Sequence, residues 1–116
     1  MTLSLACITF DCDDPKGLAT WWAEAIGSQI SNDWGEFVTV DGAPIGVRSL
    51  GFGKVPEDKA AKNRVHLDLH TDDRAAEVAR LIEHGASHVA EHEVPSLAWT
   101  VLLDPAGNEF CIAGPS

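Results

Sequence analysis

His66, Asp68 and His70 occupy every second position of one short stretch, alternating with Val65, Leu67 and Leu69. On a strand this alternation sends the three polar side chains to one face and the apolar ones to the other. Imidazoles beside a carboxylate can tune each other for proton transfer or ligate a metal. The plainer reading makes His70 a solvated rim residue, with His66 and Asp68 satisfied by neighbours. By the same parity, Cys7, Thr9 and Asp11 share one face of the N-terminal stretch, against Ser4, Ala6, Ile8 and Phe10.

Aromatic residues supply a second kind of chemistry. Trp34 and Trp99, in or beside strand-like segments, are suited to wall a planar ligand, with Phe37 and Phe52 assisting. Trp21 and Trp22 recur at helical spacing and read as core or dimer contacts. His84 falls in the last turn of a helix, where an imidazolium suits the dipole. His88 and His92 alternate with Val89 and the carboxylates Glu91 and Glu93 and read as solvated residues of a wet strand face.

These side chains need elements to hold them. Leu3 to Asp11 reads as a strand. Asp14-Pro15 is a helix start, and Leu18, Trp21, Trp22, Ala25 and Ile26 continue at helical spacing to Gly27. Strands are expected at Ser28 to Asn32, Glu36 to Val40 and Pro44 to Leu50. Gly51 to Asn63 lacks core periodicity and reads as a linker. The order then recurs: strand Arg64 to His70, cap Asp72-Asp73, helix Arg74 to His84, Gly85, and strands Ala86 to Glu93, Ala98 to Leu103 and Glu109 to Ala113. Asp104-Pro105-Ala106-Gly107-Asn108 forms the last hairpin turn.

Spacing supports an internal duplication. Cys7 precedes Asp14 by seven positions and His66 precedes Asp73 by seven; cap to terminating glycine is thirteen positions in the first half and twelve in the second. Strand, helix and three strands, written twice, define an α+β protein of two βαβββ modules. Neither module alone buries both its sheet face and its helix stripe, so a single domain over residues 1–116 is expected. Module one covers about 2–53, the linker about 54–62 and module two about 63–114.

Composition narrows the partners. With 45% hydrophobic residues the chain can fill a core without staples. A net charge of -10, with basic residues thinly spread, lacks the electrostatics that dominate binding to nucleic acid or anionic membranes. No apolar run reaches the ~20 residues of a membrane span. The apolar start runs into Asp11, Asp13 and Asp14 without a basic region, so cytoplasmic residence is expected. Three cysteines without C-x-x-C spacing read as reduced thiols and exclude a zinc ribbon. Nucleophile-elbow, Walker and dinucleotide motifs are absent from the sequence, which removes support from those classes.

Three strings, Asp14-Pro15-x-x-Leu18-Ala19-x-Trp21-Trp22, Asn63-Arg64-Val65-His66-Leu67-Asp68-Leu69 and Asp104-Pro105-Ala106-Gly107-Asn108-Glu109-Phe110-Cys111, carry a resemblance. Together with the element order, they make the chain similar to the glyoxalase/bleomycin-resistance/dioxygenase (vicinal oxygen chelate) superfamily over nearly its whole length. The resemblance implies a curved, cupped mixed sheet, a small-molecule ligand and a homodimer. It also implies a divalent metal, in some members, that grips two vicinal oxygens.

The metal positions of the resemblance fall on Cys7, His66, a place near Gly53, and Cys111; only His66 carries the usual ligand type. Cysteine is a soft donor, favouring zinc or copper. A Cys7, His66, Cys111 set would offer zinc three ligands and an open fourth position, whereas buried cysteine is otherwise a small inert hydrophobe.

Three functional readings follow. One is a small-molecule lyase, isomerase or dioxygenase-like enzyme with a degenerate metal site, in which His66 anchors a metal or acts as base and Asp68 or His70 orients it. The second is a metal-free protein sequestering a hydrophobic metabolite or antibiotic. The third is a dimeric structural or regulatory partner with an unused cavity.

Overall fold

Phe10, Trp22 and Phe52 meet ring to ring, and around them the first half of the chain condenses. In the computed structural model, which describes residues 2–116, the Phe10 ring stacks on Phe52 at 5.1 Å and meets Trp22 at 5.4 Å. The strands here are β1 (Ile8–Cys12), β2 (Ile30–Asp33), β3 (Phe37–Asp41) and β4 (Ser49–Lys54), with helix α1 at Pro15–Ile26. They form a four-stranded mixed sheet in the order β1-β4-β3-β2, with β1 parallel to β4 and the other pairs antiparallel. Val38, Val40, Leu50 and Phe52 are fully buried on the face covered by α1, and Leu18, Ala19 and Trp22 are buried on the helix. Period-2 residues of the sheet thus meet a 3.6-period stripe.

Local chemistry fixes the ends of the helix. The Asp14 carboxylate accepts from the Gly17 N–H at 3.1 Å with Pro15 in the first turn, and Gly27 ends the helix in the left-handed region at φ 69°. The same device recurs in the second half, where Asp73 accepts from the Ala76 N–H at 3.1 Å and Gly85 takes φ 120°.

The second half has β5 (Leu67–His70), α2 (Arg74–Glu83), β6 (Ser87–Val94), β7 (Leu97–Leu103) and β8 (Glu109–Gly114). Its sheet order, β5-β8-β7-β6, repeats the first with β5 parallel to β8. Leu102, Phe110 and Ile112 are buried on the α2 side with Leu81 of the helix. Thr100 is also fully buried there; its hydroxyl accepts from Arg74 Nη1 at 2.7 Å and donates to Glu91 at 3.1 Å, while Arg74 meets Glu91 at 2.7 Å. Burial works to raise the Glu91 pKa, but hydrogen bonds from His88, Thr100 and Arg74 outweigh it and hold the carboxyl below its ordinary value.

Each sheet carries one bulge, in its outermost antiparallel strand: between Ile30 and Asn32 in β2, and between His88 and Ala90 in β6. By contacts the chain divides into two compact units, Met1–Lys59 and Ala60–Ser116. Among the described residues, no helix is long and apolar enough to cross a membrane.

Three segments depart from the sequence reading. The strand expected from Arg64 begins at Leu67, so His66 lies just ahead of it and Val65 is exposed rather than under α2. The first strand starts at Ile8 rather than Leu3, because β4 offers ladder partners only to Ile8 through Cys12; Leu3 and Leu5 lie exposed before it. The expected strand from Pro44 is a 3-10 turn at Ala43–Ile45 closed by Gly46 at φ 83°, since proline has no N–H to give a ladder. The strand comes later, at Ser49–Lys54, so Gly51 to Lys54 pair in the sheet instead of opening a linker.

Candidate functional site

The hairpin turn before β8 sets the height of Cys111. Asp104 is buried, and its Oδ1 accepts from the backbone N–H groups of Ala106 and Asn108, both at 2.9 Å, while Oδ2 accepts from Asn108 Nδ2 at 3.1 Å. The turn fixes the register of β7 with β8, and β8 on its other side runs parallel to β5 with Cys111 beside Asp68 and Ala113 beside His70. The lead-in to β5 is tied to the same strand, because the Asn63 N–H donates to Glu109 Oε2 at 2.6 Å.

These two anchors bring three donors together on the face of the second sheet away from α2. His66 Nδ1 lies 3.2 Å from Asp68 Oδ1 and 4.0 Å from Cys111 Sγ. One ligand atom from each of His66, Asp68 and Cys111 falls within 4.8 Å of the others. His66 and Asp68 are exposed and Cys111 is buried. Burial first, then the hydrogen bond and charge of Asp68, push the Cys111 thiol up to about 11, with Lys62 opposing weakly.

A zinc ion with bonds of roughly 2.0 Å to nitrogen and oxygen and 2.3 Å to sulfur needs tetrahedral donors roughly 3.2–3.7 Å apart. The mixed nitrogen, oxygen and sulfur set suits a borderline-soft ion. The donor types therefore fit such a metal; His66 to Asp68 at 3.2 Å already meets the spacing, while His66 to Cys111 at 4.0 Å, in a set that lies within 4.8 Å, must close by a few tenths of an ångström to hold it.

The third donor beside His66 and Cys111 is Asp68. Cys7 lies in the first unit, with its sulfur 3.5 Å from the Thr9 hydroxyl. There Cys7, Thr9 and the Phe37 ring lean over Gly51: a Cβ on that glycine would come within 2.8–2.9 Å of all three. Only a missing side chain permits this approach. Trp34 is largely exposed and stacks on Phe37 at 6.2 Å. Phe52, expected as a ligand contact, is fully buried against Phe10 on the α1 side, so it belongs to the core. Strand parity explains this, because Phe52 alternates with Gly51 and Gly53, the residues on the Thr9 side.

In the second sheet, the rung beside the trio reads Asp68, Cys111, Val101 and Ala90, and the next reads His70, Ala113, Trp99 and His92. His92 stacks on Trp99 with ring centroids 5.3 Å apart and planes 27° apart. His92 is exposed, in keeping with the solvated place expected for it, and is also half of an aromatic pair. The bulge at Val89 hid this, because one added residue changes which side chains face α2. His88, on the other face, pairs with Glu91 at 2.8 Å. The sequence reading did not find the Arg74–Glu91–Thr100 cluster; a serviceable signal was an arginine at the first position of α2, where the helix dipole favours acids instead.

A fold of two βαβββ modules, with an imidazole and a last-strand donor converging beside a parallel strand pair, is that of the vicinal-oxygen-chelate superfamily. The model of the glyoxalase-like domain matches residues 7–113, and the chain belongs to that family. Among solved structures, it is similar to a glyoxalase/bleomycin resistance protein/dioxygenase family enzyme from Burkholderia phytofirmans. That match has a TM-score of 0.80 at 21% identity, covering 98% of this chain and 100% of the other. A protein from Agrobacterium tumefaciens aligns with a TM-score of 0.81 at 12% identity over 99% of each chain. The oxidase ChaP-H2 aligns with a TM-score of 0.68 at 19% identity, over 100% of this chain and 96% of the other. At these identities the likeness carries the fold alone. No curated protein matches the chain.

Proposed function

We propose that the protein is a small-molecule lyase or isomerase whose centre is His66, Asp68 and Cys111, with a zinc-type divalent ion as cofactor. The observation that carries this reading is the convergence of these three donors within one module. The ion, when bound, polarises a substrate oxygen as a Lewis acid. Zinc has no redox chemistry, so the thiol-containing donor set favours lyase or isomerase over dioxygenase-like action.

The chain's own groups handle the proton. Asp68 Oδ1 lies 3.2 Å from His66 Nδ1. His66 either holds the ion through Nδ1 or, with no ion there, acts as a base that takes a proton from carbon next to a substrate oxygen and returns it elsewhere; one imidazole nitrogen does not do both. His70, one strand repeat beyond Asp68, lies on the same face and is a second group for substrate orientation. Cys7 remains a candidate metal residue in the first module, with Thr9 and Trp34 as ligand contacts beside it.

The alternative is a metal-free protein that sequesters a hydrophobic metabolite or antibiotic. It is favoured by the way the trio satisfies itself, since Asp68 accepts from the Cys111 thiol and also meets His66. Elemental analysis of untagged protein decides between them, repeated on His66→Ala, Asp68→Ala and Cys111→Ala. Near one ion per chain, lost in each variant, is expected; no ion in native or zinc-reloaded protein sinks the enzyme reading as stated. A cytoplasmic homodimer is part of the proposal, and sedimentation of the untagged protein at micromolar concentration tests the dimer.

A further inference from the structure

The stack of His92 on Trp99 shows which way the indole looks. The two residues are neighbours on adjacent strands, and their near-parallel rings lie 5.3 Å apart, close to the distance between the strands themselves. The ring faces are therefore turned along the rung rather than flat on the sheet. His92 covers one face of Trp99, so the other looks toward the next position of the rung, Ala113, and beyond it to His70.

Ala113 contributes only a methyl group. Across it, the backbones of His70 and Trp99 are two strand spacings apart, roughly 9.5–10 Å. A flat ring in contact on both faces needs about 7 Å. The gap thus has room for one aromatic ring and not for two. Along β5 and β8, the adjoining rung ends in Asp68 and Cys111, with His66 next to them. One end of the gap is aromatic and the other carries an acceptor and an imidazole.

We infer that the gap over Ala113, between Trp99 and His70, seats the aromatic ring of an uncharged aryl alcohol or aryl carbonyl compound, its oxygen directed to His66 and Asp68. This deepens the proposed function by naming a substrate class, and only the direction of the oxygen rests on that reading. The charge balance selects the uncharged form, because a chain of net charge -10 with a carboxylate at the polar end repels an arylcarboxylate. The ligand ring completes a three-layer stack with Trp99 and His92, and His92 acts as a positioning residue that holds the indole upright.

The test uses chelator-treated protein, so that metal plays no part, and 2-naphthol as the probe. Binding is followed by calorimetry and by the side-chain NMR signals of Trp99, His70 and His92, assigned with single variants. Trp99→Leu and Ala113→Leu, the second of which fills the gap, are each expected to weaken binding by about tenfold or more, with melting otherwise native-like. Decahydro-2-naphthol and 2-naphthoate are expected to bind more weakly than 2-naphthol. Failure of 2-naphthol to bind, equal binding by Ala113→Leu, or perturbation confined to other tryptophans would overturn the inference. Zinc uptake is measured separately, so loss of the metal reading leaves this result standing and the converse also holds.

Discussion

At the scale of single residues, the Cys111 thiol governs the response to alkali and to metal. Its pKa is raised from 9.0 to about 11, so the folded state favours the protonated form. The resulting stability is fully present below pH 9 and is lost as pH rises toward 11, by at most roughly 2–3 kcal/mol. Urea titrations at pH 8.5 and pH 11 should show this loss, and Cys111→Ser should remove that part of it. An unchanged slope in the variant would assign the effect to other groups. Asp68→Asn should bring the thiol down toward its ordinary range and speed its alkylation near pH 9; an identical pH profile would show that Asp68 does not hold the proton. Zinc uptake should release about one proton per ion from the thiol, read by calorimetry in buffers of different ionisation heat. The alternation of Asp68 and His70 was legible in the sequence because period 2 survives in any register, whereas His66 lies just before the strand and reaches the same site from its lead-in. The neighbour of Asp68 was not legible, because the offset between β5 and β8 is a pairing of distant segments that no local motif fixes.

At the scale of elements, capping and burial make different predictions from the site. Asp73→Ala should cost about 1 kcal/mol through loss of the α2 cap. Phe52→Ala should cost about 3–5 kcal/mol, because a fully buried ring leaves a cavity under α1. If Phe52 instead contacted ligand, its loss would weaken 2-naphthol binding in protein that remained folded. Arg74→Met should cost roughly 1–3 kcal/mol by leaving Thr100 and Glu91 with fewer partners. Arg74 Nε has no hydrogen-bond partner, so part of that loss is recovered. Both helices could be read from sequence because their caps and stop glycines are local signals. Strand β4 could not, because its Gly51-Phe52-Gly53 core has the composition of a connection. Glycine is required there by the close approach of Cys7, Thr9 and Phe37, a contact between distant segments.

At the scale of the whole molecule, we expect the two modules to unfold as one cooperative domain over residues 1–116, because each offers a sheet face without a helix on it. Differential scanning calorimetry tests this: one transition with matching calorimetric and van't Hoff enthalpies is expected, and two resolved transitions would make the modules independent. The bulges in β2 and β6 bear on a separate property. They fall in the matching strand of each module, each an outer strand with one side of its backbone unpaired within its own sheet. A strand interrupted in this way is a poor template for a foreign strand, because the added residue breaks the run of donors and acceptors and twists it. The second module needs this protection most, since β6 is its longest strand and carries the exposed Val89 and Val94. Deleting Val89 would keep every pairing of β6 with β7 while straightening that edge. The folded protein would change little, but concentrated solutions of the deletion variant should become prone to fibril growth, a hazard the bulge suppresses.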